Sequence, residues 1–413
     1  MDPDRFLSDR VRGLKASAIR EILKAVSKPG MISLAGGIPS EESFPFEIIA
    51  ELSDLVFEKY GPSALQYDFT EGFLPLRRAL SVYLTAKKGI PAGVEEVLIT
   101  SGSQGALDAL GKILISRGDR IAVEDPTYLG ALQAFSVYGP ELVSLETDAE
   151  GLLPDSLEAV LGSGRVKLVY LVPNFQNPTG RTLSPERRFR VAELLKRYQA
   201  LLIEDDPYGD LRYEGESIPP VKVLASEHVI YLGSFSKVFA PGLRVGYCLA
   251  PDWVRSWLVR VKQGVDLHSG TFGQALAAEY LAGGHIETQL PRIRDLYRPR
   301  KQAMLDALDA CFPKSFRWSR PQGGMFIWVE GPETLDTEEL YRKALAENVA
   351  FVPGRYFFAR SGRGFSTMRL NFTRCDPGVS GSAILVLSGI IRRMLRRPGV
   401  EAPVRLHPAL PGA

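Results

Sequence analysis

Residues 166–208 read VKLVYLVPNFQNPTGRTLSPERRFRVAELLKRYQALLIEDDPY. Val166–Val172 is a short, β-branched run that stays apolar on both of its faces. Pro185–Tyr198 carries a helical pattern, and Leu201–Asp205 is a second apolar run, this one ending in acid. Strand, helix and strand in this order, with strands apolar throughout, predict a mostly parallel sheet covered on both faces by helices.

The alternation extends in both directions, from about residue 95 to 265. Further strands are expected at Val97–Thr100, Arg120–Glu124, Glu141–Glu146, Val229–Gly233 and Val245–Ala250, and helices at Gly105–Ser116, Leu129–Tyr138 and Pro154–Leu161. Asp125-Pro126 ends its strand and turns the chain. The expected fold class is α/β: a large domain over residues 46–290 with a mostly parallel sheet flanked by helices. After about residue 285 the pattern changes to a helix (Ile286–Ala310), strands near Met325–Val329 and Met368–Phe372, and helices at Thr337–Glu347 and Gly381–Leu395. That is a smaller α+β domain over 291–396. The first 45 residues, with a helix at Ser17–Ala25, are expected to join it, so both chain ends build it. The tail 397–413 holds Pro398, Pro403, Pro408 and Pro411 and is expected to be disordered.

Composition narrows the function. Lys and Arg number 50 against 48 Asp and Glu, for a formal net charge of +2. That balance points away from nucleic acid and from an anionic membrane. Cys248, Cys311 and Cys375 are far apart, odd in number and without CxxC spacing, which suits free thiols in a reducing cytoplasm. The four histidines have no metal-ligand spacing, so no metal is expected. The charged start does not look like a signal peptide, and no apolar run reads as long enough to span a bilayer. A cytoplasmic location is therefore expected.

Chemistry-bearing residues gather where the strands end. After Val229–Gly233 comes Ser234-Phe235-Ser236-Lys237, then Gly242-Leu243-Arg244. A lysine there sits at the C-terminal edge of a parallel sheet, where such folds place ligands. Its amine can condense with an aldehyde to form an imine, while the hydroxyls and the guanidinium suit a phosphate. A solvated lysine in a Ser-rich loop is the competing reading. Asn177, in Asn177-Pro178-Thr179-Gly180, offers an amide to a phenolic oxygen or is turn chemistry alone. Asp205 could pair with a protonated ring nitrogen or serve as a helix cap or loop charge. Ser101-Gly102-Ser103-Gln104 leads a strand into a helix start, which favours an anion.

Taken together and in this order, the segments resemble fold-type I PLP-dependent aminotransferases, in the branch with the 2-aminoadipate and kynurenine aminotransferases, over residues 15–395. The resemblance implies that Lys237 is the Schiff-base lysine that also carries the proton, and that the cofactor is pyridoxal 5'-phosphate. Asp205 would face the ring nitrogen, Tyr208 and Asn177 the phenolic oxygen, and Tyr128 would stack on the ring. Ser103, Gln104, Ser234, Ser236 and Arg244 would hold the phosphate, joined by Tyr67 from a partner subunit, which implies a homodimer with shared active sites. Arg369 resembles the arginine that clamps the substrate α-carboxylate, and Gly36-Gly37 the glycine turn beside it. Ser17 and Arg20 match substrate-contacting positions on an N-terminal helix that covers the site. Arg20 reads equally as a reader of a distal carboxylate or as a locally paired surface arginine.

The implied activity moves an amino group from 2-aminoadipate, glutamate or an aromatic or branched amino acid to a 2-oxo acid such as 2-oxoglutarate. Two alternatives stay open at this level. One is another reaction of the cofactor on the same scaffold, a lyase or decarboxylase reaction, since the motifs hold the cofactor without choosing the bond that breaks. The other is a cofactor-sensing regulatory module.

Overall fold

Strands β1 (Val97–Thr100), β2 (Arg120–Glu124), β3 (Glu141–Leu145), β4 (Val166–Leu171), β5 (Leu201–Asp205), β6 (Val229–Ser234) and β7 (Gly246–Leu249) form one sheet in the order β1-β7-β6-β5-β4-β2-β3. The structure is a computed structural model and describes residues 5–12 and 30–395. β2 through β6 run parallel to one another, while β7 is antiparallel to both β6 and β1. Length of connection explains the exception. Helices link the parallel strands, whereas residues 235–245 between β6 and β7 form only two short 3-10 turns and return the chain directly.

Apart from the edge strand β3, the sheet is buried on both faces, and the period-2 alternation sorts its side chains. Leu168, Tyr170 and Val172 join Ile203 in the main core, while Val169 and Leu171 join Leu202 in a second core on the opposite face. Helix Pro185–Tyr198 closes that second core. It starts where the Ser184 side chain accepts the Arg187 N–H, and it buries Val191, Ala192, Leu194 and Leu195. The valine and the two leucines each contribute about 1.5–3 kcal/mol on burial.

A second sheet is antiparallel: β8 (Arg317–Trp318), β9 (Phe326–Glu330), β10 (Val352–Pro353) and β11 (Thr367–Asn371), in the order β8-β9-β11-β10. Ile32–Ser33 pairs with Val349–Ala350. The Leu34 carbonyl then accepts the Asn371 N–H at 2.8 Å, which holds the segment leading to Gly36-Gly37 beside β11.

One expectation is corrected. Helix Pro377–Leu395 is, by length and composition, apolar enough to cross a membrane. Its buried stripe of Ser380, Ala383, Ile384, Leu387 and Ile391 follows the helical period, and Ser388 donates to the Cys311 carbonyl at the end of helix His285–Cys311. The apolar stripe thus has a packing partner, while Leu385 on the other side is exposed. The expected helix at Ser17–Ala25 and the tail 397–413 lie outside the described residues.

Candidate active site

The C-terminal ends of β1, β4, β5 and β6 lie at one edge of the sheet, and the chain leaving each of them lines one cleft of about 320 Å³. Gly37, Ser103, Gln104, Tyr128, Asn177, Asp205, Tyr208, Ser234, Ser236, Lys237, Arg244 and Arg369 all line it. Ser17 and Arg20 lie outside the described residues. Tyr67 does not line the cleft of its own chain: it is 77% exposed and rests edge-on against His268, with ring centroids 5.7 Å apart.

Lys237 ends the 3-10 turn Phe235–Lys237, at whose start the Ser234 side chain accepts the Ser236 N–H. Its Nζ donates to the Gly37 carbonyl at 3.0 Å. Removal from water, then the Arg244 and Arg369 charges, push its amine down to about 8. A lysine so placed is partly neutral near pH 7 and can act as nucleophile or base.

Asp205 is 2% exposed. Its Oδ2 accepts the Tyr170 hydroxyl at 2.9 Å, and its Oδ1 has no partner among the described residues. Burial pushes the carboxyl up to about 7, with Tyr170 pulling it down and Asp206 pushing it further up. A buried acceptor left open in this way is costly unless a donor, best a cationic one, meets it.

Asn177 links two functions. Its Nδ2 donates to the Tyr208 hydroxyl at 3.4 Å, and its Oδ1 accepts Arg369 Nη1 at 2.8 Å. Burial holds the Tyr208 phenol well above its usual range. Arg369, on β11, sits over Phe326 and Phe357 at 4.3 and 5.0 Å and donates Nη2 to the Ala35 carbonyl at 2.6 Å. Its Nε has no partner among the described residues. Burial pushes its guanidinium down to about 10, against the pull of Tyr208 and Tyr128.

At the other end of the cleft, Ser103 and Gln104 open helix Gly102–Leu114, with Ser234, Ser236 and Arg244 opposite. Gly102 has φ +70°, and a Cβ there would lie 2.5 Å from Arg244 Nη2, so glycine is what lets the guanidinium approach the helix start. The Arg244 bonds to the Ser101 and Pro241 carbonyls are long, 3.4 Å each, and the buried Ser103 Oγ has no partner among the described residues. Gln104 instead turns its amide to the Gly130 carbonyl at 2.9 Å, and Gly130 leaves room for the Tyr128 ring.

The residues therefore fit pyridoxal phosphate from end to end. A helix start with hydroxyls and a guanidinium suits the phosphate, Tyr128 suits the ring face, and the open Oδ1 of Asp205 suits a protonated ring nitrogen.

Three residues escaped the sequence reading. Tyr170 supports Asp205. Asp206 turns to the far side of the strand, where it accepts from Tyr231 at 2.8 Å and Asn174 at 2.9 Å and lies 3.7 Å from the buried Lys88. Their residue types carried no local signal; an acidic pair at a strand end, one member for each face, was the nearest to one.

Residues 29–379 match the family described as aminotransferase class I and II. The aromatic-amino-acid aminotransferase 1 of Thermococcus litoralis is 47% identical over 380 residues, 90% of this chain and 91% of that protein. The 2-aminoadipate transaminase of Thermus thermophilus is 44% identical over 367 residues, 88% of this chain and 90% of that protein. The crystal structure of a Pyrococcus horikoshii kynurenine aminotransferase, in complex with PMP, superposes with a TM-score of 0.92 at 42% identity over 96% of this chain and 99% of that one. This chain belongs to the family of class I and II aminotransferases and is a transaminase dependent on pyridoxal phosphate.

Proposed function

We propose that this transaminase takes amino groups from 2-aminoadipate, glutamate or aromatic and branched amino acids and passes them to 2-oxoglutarate or a similar oxo acid. The named activities of the Thermococcus and Thermus relatives support the aromatic and 2-aminoadipate parts of that range. The observation that carries the reading is that Lys237 lines the same cleft as Asp205, whose buried Oδ1 has no partner among the described residues.

In this reading Lys237 anchors the cofactor, Asp205 faces its ring nitrogen, and Tyr208 and Asn177 hold its phenolic oxygen. Tyr128 stacks on the ring; Ser103, Gln104, Ser234, Ser236 and Arg244 hold the phosphate. The bound cofactor supplies an electron sink for the charge left on the substrate α-carbon. Lys237 Nζ takes the α-proton as base and returns it as acid, a task suited to an amine brought down to about 8. Arg369 grips the α-carboxylate beside Gly37, whose missing side chain admits the substrate.

The assembly is a cytoplasmic homodimer. Exposed Leu65, Tyr67 and Phe69 form an apolar strip that suits a partner's surface, with Tyr67 reaching the partner's phosphate site. Three free cysteines suit a reducing compartment. Residues 46–290 form the cofactor-binding domain, and residues 291–396, with the N-terminal segment, form the smaller one.

The test is an absorption spectrum of the purified protein, followed by addition of glutamate or 2-aminoadipate. A visible band that shifts on adding donor, with 2-oxo acid released, supports the reading. A protein with no such band, or a band indifferent to a panel of amino donors, overturns it.

A further inference from the structure

Tyr170 stands on β4 opposite Ile203 of β5. Side chains two residues apart on a strand share a face, so Asp205 projects toward the same side as Tyr170. The Tyr170 side chain is fully buried and held edge-on by Phe135, with ring centroids 5.8 Å apart. Its reach along the sheet ends at Asp205 Oδ2, 2.9 Å away. Burial and the neighbouring Asp205 carboxylate keep its phenol far above the usual range, so it stays protonated and can only donate to Asp205.

We propose that Tyr170 is a positioning residue for the transamination, pinning one oxygen of Asp205 so that the other is presented to the cofactor ring. This rests on the assignment of Asp205 as the carboxylate that faces the ring nitrogen.

The need for such a residue follows from what surrounds Asp205. Tyr170 faces it from β4, Asp206 comes next in the chain just past the end of β5, Tyr208 follows, Tyr128 approaches from the loop after β2, and Lys237 and Arg369 share the cleft. Asp206 and burial both favour a proton on Asp205, and Tyr170 is the neighbour that donates to the ionised form. Without the hydroxyl, the carboxylate is free to rotate and to take the proton that the ring nitrogen should hold.

Tyr170→Phe removes the donor and keeps the ring. Three quantities are measured: the dissociation constant for pyridoxal phosphate by titrating the cofactor-free protein, the pH midpoint of the visible band without substrate, and kcat with KM. Loss of one hydrogen bond to a charged group corresponds to a fall in kcat of about ten- to a hundredfold, with KM within about twofold. The cofactor should bind about tenfold more weakly or worse by the same reasoning. The pH midpoint should rise, because a ring nitrogen that holds its proton less firmly withdraws less charge from the nitrogen of Lys237. Should the variant fail to fold, a fluorotyrosine at position 170, a stronger donor of nearly the same shape, should shift the midpoint downward. An unmoved midpoint with unchanged cofactor affinity, in whichever variant folds, overturns the proposal. Asp205→Asn, run alongside, separates the two layers. If it changes both quantities and the Tyr170 variant changes neither, Tyr170 loses its role; if neither variant changes them, the assignment of Asp205 fails.

Discussion

Replacing Arg369 with lysine keeps a positive charge in the cleft and removes a fork. The guanidinium is clamped between Phe326 and Phe357, spends one N–H on Asn177 and another on the Ala35 carbonyl, and keeps the rest of its donors free. A lysine ammonium cannot hold both protein partners and also grip a carboxylate with two parallel bonds. Each hydrogen bond to a charged group contributes about 1.5–3 kcal/mol, and lysine recovers part of the Coulomb attraction, so the expected loss is about 2.5–4 kcal/mol. That is a fall in kcat/KM of roughly 70- to 1,000-fold. The assay compares steady-state kcat/KM for an amino acid with that for the amine of the same side chain, which lacks the α-carboxylate. The amino acid should suffer the full loss and the amine should stay within about threefold. An equal fall for both would refute the reasoning, since Arg369 would then serve the site through Asn177 and not the substrate. A separate thermal scan should show a modest loss of about 1–3 kcal/mol, because one of two buried acceptors is left short of a partner.

Lys237→Ala should abolish both turnover and the visible band, and wild-type transamination by this variant would remove Lys237 from its role. Asp205→Ala should lower kcat by several powers of ten, since a fixed charge partner in a dry site is worth several kcal/mol; an unchanged turnover number would reject the assignment. The rate at which cofactor-free protein takes up pyridoxal phosphate should rise with pH and level off above about 8. The sign follows from the chemistry: only the neutral amine attacks, and its fraction grows as pH passes the depressed value. A rate still climbing through the ordinary lysine range would show that Lys237 is not held as described.

The seven strands of the large sheet were legible to within a residue or two. All but the edge strand β3 are largely apolar on both faces because helices cover both faces, so their signal is nearly continuous and needs no partner to be read. Helix Thr271–Ala282 left no such signal, because burial of Thr271, Gln274, Ala275–Tyr280 goes nearly all the way round and erases the stripe.

Local order alone brought Lys237, Asp205, Asn177 and Ser103 to one edge. Asp205 ends its strand and the others lie within six residues of theirs, and parallel strands end on the same side, so sequence position became spatial position. What lies across from each of them was decided only by the fold. Arg369 meets Asn177 across 192 positions, and Tyr170 meets Asp205 across 35. Lys88 lies beside Asp206 only because the chain packs a helix end behind the sheet. A carboxylate's proton affinity and an amine's reactivity depend on such neighbours and on exclusion of water, and neither exists until the sheet, its covering helices and the second sheet close on one another.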